Sequence, residues 1–482
     1  MISSTKTSLK SAEEDFCRRY PQFERTRTLD QLRTTEYARL DRDGHIYLDY
    51  TGGGLYAESQ LREHFRLLTH NTFGNPHSSN PTSLAMTERV ESARRAILRY
   101  FNASPDEYMC IFVQNASAAL KLVGESYPFM KGSRYLLTFD NHNSVNGIRE
   151  FARCKGAEVV YTPILPPDLR IDAEKLRIHL DSIKPGTNNL FAFPAQSNFS
   201  GVQHSLDWID VAHNKGWDVL LDGAALAPTN PLNLGAARPD FVSLSFYKIF
   251  GYPTGVGALL ARKTALKKLH RPWFAGGTIE VASVQGDKYY FHEGPEAFED
   301  GTLNYLSIPA VEIGLRHIES IGLDLIHTRV TALTSWLLSE LTTLKHSNGR
   351  VLTRIYGPIN TEARGGTITF NFYDPDGHFI DHQYVEHCAN EVNISLRTGC
   401  FCNPGGGELA LGISAEELTS CFIAHERMTF SEFRRCIDDK STGAVRVSLG
   451  LVSTFADVWR FVEFARSFLD RRFDQGSQEL KP

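Results

Sequence analysis

The run DVLLDGAALAPTNPLNLGAARPDFVSLSFYKIFGYPTGVGALLAR, residues 218–262, holds three apolar segments: DVLLD (218–222), FVSLSF (241–246) and GVGALLA (255–261). Segments this continuously apolar read as strands covered on both faces. Residues 247–254 separate the second from the third. A parallel crossover needs a dozen or more residues, so the third strand is expected to run antiparallel to the second. Toward the N-terminus, MCIFVQ (109–114), RYLLTFD (134–140), EVVYTPI (158–164) and NLFAFPAQ (189–196) repeat the apolar pattern, with helix-period stretches such as ASAALKLVGESYPFM and DAEKLRIHLDSI between them. The alternation predicts an α/β fold on a seven-stranded, mostly parallel sheet with one antiparallel strand.

Beyond about residue 310 the pattern changes to a long helical stretch, VEIGLRHIESIGLDLIHTRVTALTSWLLSELTTL, with a break expected near Gly322. Strand-like GGTITFNFY, a helix over about 381–392, ISLRTG and AVRVSLG follow. A terminal helix opens with a capping box from Thr454 to Asp457 and repeats apolar residues at Phe455, Val458, Phe461, Val462, Ala465 and Phe468. These predict a second, smaller α/β domain. The expected division is an N-terminal segment over 1–45 that packs on the small domain, a large domain over 46–315, and the small domain over 316–482. The first 40 or so residues are polar and read as a flexible lead-in plus one docking helix.

The 482 residues carry 51 Lys and Arg against 56 Asp and Glu, a net charge of −5, with 42% hydrophobic and 22% charged residues. This balance excludes disordered, collagenous and coiled-coil chains, and it offers no electrostatic footprint for nucleic acid or an anionic membrane. The start, MISSTKTSLKSAEEDFC, lacks the apolar core of a signal peptide, and no stretch is long and apolar enough for a span. A soluble, cytoplasmic protein is expected. The eight cysteines (17, 110, 154, 388, 400, 402, 421 and 436) include no CxxC pair and make no disulfide framework, so an unusual cysteine reads as reactive.

Four groups of residues fall at predicted strand ends or in a later loop. In QNASAAL (114–120) a strand turns into a helix, a corner that fits an ordinary Asn or Ser cap as well as a phosphate seat. Asp222 closes DVLLD, where a buried carboxylate needs an arginine or a protonated heterocycle as partner. Lys248 follows FVSLSF, placed either as a surface lysine or as a desolvated amine suited to Schiff-base chemistry; with Asp222 on the preceding strand end, both can address one ligand. RTGCFCNPGGG (397–407) runs two thiols into a Pro/Gly segment read as irregular and mobile, which suits a nucleophilic cysteine; packed thiols or half of a metal site are the alternatives, and metal is not expected.

Together with YLDYTGGGLY (47–56), NTFGNPHSSN (71–80), SFYKIFGYPTGVGALL (245–260), FEDGTLNYL (298–306) and STGAVRVSLG (441–450), these motifs resemble the pyridoxal-phosphate enzymes of aminotransferase class V. Within that family they are most similar to the N-terminal, cysteine-desulfurase-like domain of molybdenum cofactor sulfurases. The resemblance implies the aspartate-aminotransferase-like type I fold with pyridoxal 5'-phosphate as cofactor. It makes Lys248 the Schiff-base lysine, Asp222 the partner of the ring nitrogen, His142 the residue stacked on the ring and Asn198 a contact at the ring's side. Ala116, Ser117 and Ser245 fall at phosphate positions, and Thr302 matches a residue that reaches the phosphate from the other subunit of a homodimer. Arg446 matches the arginine that clamps the substrate carboxylate, Arg397 is taken as a second substrate contact, and Cys402, five residues after Arg397, matches the persulfide-forming cysteine.

Some positions depart from the family pattern. Ala225 stands where many members place Gln, Phe246 and Tyr247 precede the lysine in place of the usual His, and Gly406 and Gly407 replace an Ala-Cys pair. The chain stops before the second domain of the sulfurases, so an acceptor in trans, protein or small molecule, is expected. The expected reaction is L-cysteine to L-alanine with an enzyme persulfide. A C–S lyase, an epimerase or another amino-acid-transforming enzyme of a specialised pathway is the alternative, and a non-catalytic sulfur carrier or partner-binding scaffold is a third reading. Cys400, two residues before Cys402 on a segment read as extended, is expected on the same side of the chain.

Overall fold

Every predicted strand of the 218–262 run and its N-terminal neighbours pairs into one sheet in the computed structural model, which describes residues 8–76, 78–424, 432 and 443–473. His77, Cys436, Ser441 and Thr442 of the motifs above lie outside these residues. The strands are β1 (Tyr108–Val113), β2 (Arg134–Thr138), β3 (Glu158–Thr162), β4 (Leu190–Pro194), β5 (Asp218–Asp222), β6 (Phe241–Ser245) and β7 (Gly257–Arg262), in the spatial order β1-β7-β6-β5-β4-β2-β3. The pairs β2–β3, β2–β4, β4–β5 and β5–β6 are parallel. β7 runs antiparallel to both β6 and β1, as the short 247–254 link requires.

Residues 190–193 and 241–245 are buried throughout, which is why the sequence shows no polar alternation there. At the first residue of β7 a Cβ on Gly257 would stand 2.6 Å from the Asn115 Cα and from the Leu244 carbonyl oxygen. Glycine there lets the turn after β1 close down on the sheet, and with it the start of the following helix, Ala116–Ser126.

The long helical stretch breaks at Gly322 (φ 90°) into helices Pro309–Ile321 and Leu323–Thr343. A four-stranded sheet follows, with Thr353–Tyr356, Thr367–Phe372, Ala444–Ser448 and Arg397–Gly399 side by side in that order. The terminal helix, Phe455–Arg466, carries the expected capping box, Thr454 Oγ1 accepting from Asp457 N at 3.2 Å and Asp457 Oδ2 from Thr454 N at 2.9 Å. Its apolar face, Phe455, Val458, Phe461, Val462 and Ala465 with Phe468 beyond it, is buried.

The N-terminal segment holds more structure than the single docking helix its polarity suggests. From residue 9 it forms helices Leu9–Arg19, Thr28–Glu36 and Arg39–Arg42, with a 3₁₀ turn over Pro21–Thr26. Its few apolar residues are spread over these short pieces, so no single period appears, yet Phe16, Phe23, Leu29, Tyr37 and Leu40 are all buried. Phe16 stacks on Phe455 at 4.7 Å, and Arg33 pairs with Asp457 at 2.6 Å in a buried bridge that also reaches the Val452 carbonyl. Residues Ile46 and Tyr47 then run parallel to Ile394 and Ser395, and Asp49 bridges to Ser448. This threading carries Asp49 to the small sheet beside Arg446.

Candidate active site

Five strand ends open onto one cavity of about 680 Å³, part of it open to solvent. Asn115, Ala116 and Ser117 line it from β1, His142 from β2, Asn198 from β4, Asp222 from β5, and Ser245 with Lys248 from β6. This is the carboxyl edge of an open α/β sheet, where such sheets bind ligands. Lys248 sits in a single helical turn, Phe246–Phe250, whose Phe246 and Phe250 are buried in the core. Among the described residues the Lys248 Nζ makes no hydrogen bond and no ion pair. Burial holds its amine below the usual lysine range; the Asp222 charge opposes that shift, and Arg446 and Arg397 add to it.

Asp222 accepts at Oδ1 from Ser243 Oγ at 3.0 Å and from Ala224 N at 3.1 Å, which fixes the carboxylate and leaves Oδ2 free of protein donors among the described residues. His142 caps the short helix Asn143–Asn146, its Nδ1 accepting from Ser144 N at 3.1 Å. Burial pulls the ring below the usual histidine range, Asp222 pulls it up, and Lys248 and Arg446 push it further down. The neutral ring therefore carries its proton on Nε2.

At the β1 corner both readings of the sequence meet. Asn115 is the N-cap, its Oδ1 accepting from Ala118 N at 3.0 Å, and Ser245 Oγ accepts from Ala116 N at 2.8 Å. The Ser117 N–H has no acceptor among the described residues, and the Ser117 and Ser144 hydroxyls meet at 2.6 Å. A free N–H at the positive end of an eleven-residue helix, with hydroxyls around it, suits an anion. Thr302 does not join this corner; it lines a separate recess of about 1190 Å³ with Gln114, Lys121 and Asp300.

Arg446 is 2% exposed on an inner strand of the small sheet and lies opposite Arg397. Its Nη1 donates to the Asn198 carbonyl at 3.0 Å and its Nη2 to Asp49 Oδ1 at 3.0 Å, while its Nε is buried without a partner. Burial draws the guanidinium down to about 10, against the pull of Asp49, so it remains a cation at neutral pH. Arg397 donates to Asp49 Oδ2 through Nε at 2.9 Å and Nη2 at 2.7 Å. Asp49, to which sequence reasoning assigned no role, thus fixes both arginines. Its signal was a lone carboxylate in the aromatic YLDY run, followed by glycines. A Cβ on Gly52 would stand 2.7 Å from Arg397 Nη2, and one on Gly54 2.8 Å from the Lys248 carbonyl oxygen.

The thiol loop departs from its reading in two ways. Its Pro/Gly run is not irregular, because Pro404–Leu411 is a helix with Asn403 as N-cap and proline in its first turn. A Cβ on Gly405 would run into the Phe139 carbonyl, so the glycines let this helix pack onto the end of β2. Cys400 to Asn403 is not extended but a tight turn closed by Asn403 N to Cys400 O at 3.0 Å. Phe401 (φ 56°) and Cys402 (φ 55°) are both left-handed, so the two-residue alternation that would put both thiols on one side is lost.

Cys400 and Cys402 are both exposed free thiols, as Cys154 is; Cys421 is disulfide-bonded. Both CxC thiols stand outside any cluster of three metal-ligand side chains among the described residues. The charge of a Cys402 thiolate is felt at Arg397 and at Arg446. Asn198, implied to touch the side of a ring, also spends its amide on this turn, donating to the Phe401 carbonyl at 2.7 Å and accepting from Asn403 Nδ2 at 2.9 Å.

The sequence profile of the family Aminotransferase class-V matches residues 46–461. Molybdenum cofactor sulfurase of Solanum lycopersicum is 38% identical over 494 residues, covering 95% of this chain and 60% of that protein. The Homo sapiens sulfurase is 38% identical over 459 residues, covering 91% of this chain and 51% of its own length. The chain therefore spans half to three fifths of the length of these relatives. Among solved structures, the apo cysteine desulfurase of Thermococcus onnurineus NA1 superposes with a TM-score of 0.75 at 23% identity, covering 91% of this chain and 98% of that one. The Escherichia coli cysteine desulfurase CsdA gives 0.70 at 20%, covering 92% and 99%. These likenesses show the fold.

Proposed function

Because the chain belongs to the class V aminotransferase family, we propose that it is a pyridoxal-phosphate-dependent cysteine desulfurase that moves sulfur from L-cysteine to Cys402. The observation that carries this reading is the unpartnered Lys248 amine in the cavity that Asp222 lines, with the exposed Cys402 thiol near enough for its charge to act on both arginines. The residues present fit the cofactor: an amine, a carboxylate oxygen without a donor, and the Ser117 N–H at a helix N-terminus are all unspent among the described residues lining the cavity. Bound there, the cofactor supplies an electron sink for bonds broken at the substrate Cα.

The chain's own residues divide the remaining work. Lys248, whose pKa burial lowers, would hold the cofactor's carbonyl carbon and would move the proton at the substrate Cα. Asp222 Oδ2 would face the ring nitrogen and favour its protonated form, and the His142 ring would pack on the cofactor ring. Ser117, Ser245 and the helix N-terminus would hold the phosphate. Ala225 offers no side-chain donor to the ring's oxygen, so that contact is missing from this site. Arg446 receives the substrate carboxylate, held in plane by Asp49. The Cys402 thiolate attacks the substrate sulfur: the S–S bond forms, the Cβ–S bond breaks, and its electron pair stays on carbon, which takes a proton. Alanine leaves, the persulfide stays for a sulfur acceptor, and no outside oxidant is consumed.

Incubating the cofactor-loaded protein with L-cysteine tests this directly. Alanine and one extra sulfur atom on the Cys402 peptide are expected in equal amounts. Pyruvate and ammonia without a persulfide would make the chain a lyase instead.

The homodimer belongs to the same proposal. The hairpin Ile279–Ser283 and Lys288–Phe291 and the loop before it expose Trp273 (51%), Tyr290 (64%) and Val284 (99%). This apolar surface adjoins Thr302 through Gly301 N donating to Gly276 O at 2.9 Å, and an exposed patch of this kind marks a protein-facing surface. Sedimentation of wild type is expected to give a dimer. A Trp273→Glu, Tyr290→Glu variant is expected to give a folded monomer that binds cofactor weakly; a dilute wild-type monomer with full activity would end this part of the reading.

A further inference from the structure

The turn at Cys400–Asn403 is held in an unfavourable conformation by more contacts than a solvent-exposed loop normally has. Two successive non-glycine residues with positive φ persist when the surroundings over-determine them. Here the surroundings converge on Asn403, which is 0% exposed. Its Nδ2 donates to the Asp140 carbonyl at 2.7 Å and to Asn198 Oδ1 at 2.9 Å, while its Oδ1 accepts from Gly406 N at 3.0 Å. Asn198 Nδ2 in turn holds the Phe401 carbonyl at 2.7 Å, and Asn143 N, next to His142, holds the Cys402 carbonyl at 2.7 Å. The Phe401 ring is buried, 5.6 Å from Phe199, with the Arg446 guanidinium 4.7 Å above its centroid.

We propose that Asn403 is a positioning residue whose side-chain amide latches the Cys402 turn to the His142 and Asn198 segments, so that the thiol is presented at a fixed place at the cavity mouth. The proposal rests on the reading of Cys402 as the sulfur-accepting thiol. Asn403 is not among the residues that line the cavity; it acts through the turn. One amide does two separable jobs, because its oxygen caps the helix Pro404–Leu411 and its nitrogen makes the latch. An oxygen acceptor is all that a cap needs, and Asp and Ser are good N-caps. Asn403→Asp keeps the cap and sets an oxygen against the Asp140 carbonyl and the Asn198 amide oxygen. Asn403→Ser keeps the cap with a side chain too short to reach either.

The test compares wild type with both variants as cofactor-loaded full-length protein, using hydrogen exchange and single turnover with L-cysteine. In both variants, amide exchange in the peptides covering 397–411 and 140–146 is expected to speed up about tenfold or more, with the rest of the chain unchanged. Persulfide formation on Cys402 is expected to slow by about 10²-fold, since small misplacements of a reacting atom cost that much. Exchange of the substrate Cα hydrogen with solvent, which does not use the thiol, is expected to stay within about twofold. Unchanged amide exchange in those peptides overturns the latch, and so does a fall in Cα exchange in step with persulfide formation. Faster amide exchange in the variants, with no persulfide on wild type, supports the latch and removes the desulfurase reading instead.

Discussion

Lys248→Ala is expected to lower turnover of L-cysteine by about 10³-fold or more, the loss that follows when a positioned nucleophile and proton carrier is removed. Borohydride treatment of wild type is expected to fix the cofactor on the Lys248 peptide and on none of its neighbours Lys263, Lys267 and Lys268. In the variant no covalent label should form there. Label on another lysine of wild type would end the cofactor assignment. The fold should not suffer, because the Lys248 amine makes no hydrogen bond or ion pair among the described residues.

The stability change in the cofactor-free protein has a definite sign. Burial places the folded-state pKa of Lys248 below its ordinary 10.5, so the unfolded chain binds that proton more tightly. Stability from this group therefore rises with pH between the lowered folded value and 10.5, and below the folded value the penalty is fully present. Alanine removes the penalty. The variant's denaturation midpoint at neutral pH should equal or exceed that of wild type, which separates a lost amine from a damaged fold.

The sheet was legible because the constraint behind it is local. The eight-residue link after Phe246 forbids a parallel crossover, and β7 runs antiparallel accordingly. The convergence of the QNASAAL corner, Asp222 and Lys248 was legible for a related reason: each stands at the end of a buried strand, and in a parallel sheet those ends share one edge, whereas His142, Asn198 and Ser245 came only with the family resemblance. What was hidden depends on contacts distant in sequence. Asp49 acquires its role from Arg397 and Arg446, which lie hundreds of residues away, and no local pattern announces that pairing. The run after Asn403 looked like a loop because Pro and Gly usually break structure; here proline begins a helix and glycine admits the Phe139 carbonyl. The left-handed pair at Phe401 and Cys402 contradicts residue preference outright, and such contradictions gather where function or strain overrides local propensity.

That turn also sharpens the choice between the two thiols. On an extended segment both would face one side, and geometry would not distinguish them. With the chain reversed at Phe401 and Cys402, Cys400 lies toward the helix Pro404–Leu411, its Cβ 3.8 Å from where a Gly407 Cβ would stand. Cys402 lies in the field of Arg397 and Arg446, and its carbonyl is bonded to the residue after His142. Cys402→Ser is therefore expected to abolish the persulfide and to cut alanine formation by about 10³-fold or more, as loss of the attacking nucleophile does. Cofactor binding and exchange of the substrate Cα hydrogen should remain, because Lys248 and Asp222 serve those steps. Cys400→Ser should cost less than about tenfold, since its Cβ lies toward that helix and not toward the two arginines' field. The measurement is mass mapping of both peptides after one turnover, with alanine and pyruvate counted alongside. A Cys402→Ser protein that still releases the sulfur of L-cysteine at the wild-type rate would show that no protein thiol takes part, and the same cavity, lysine and arginines would then belong to a C–S lyase.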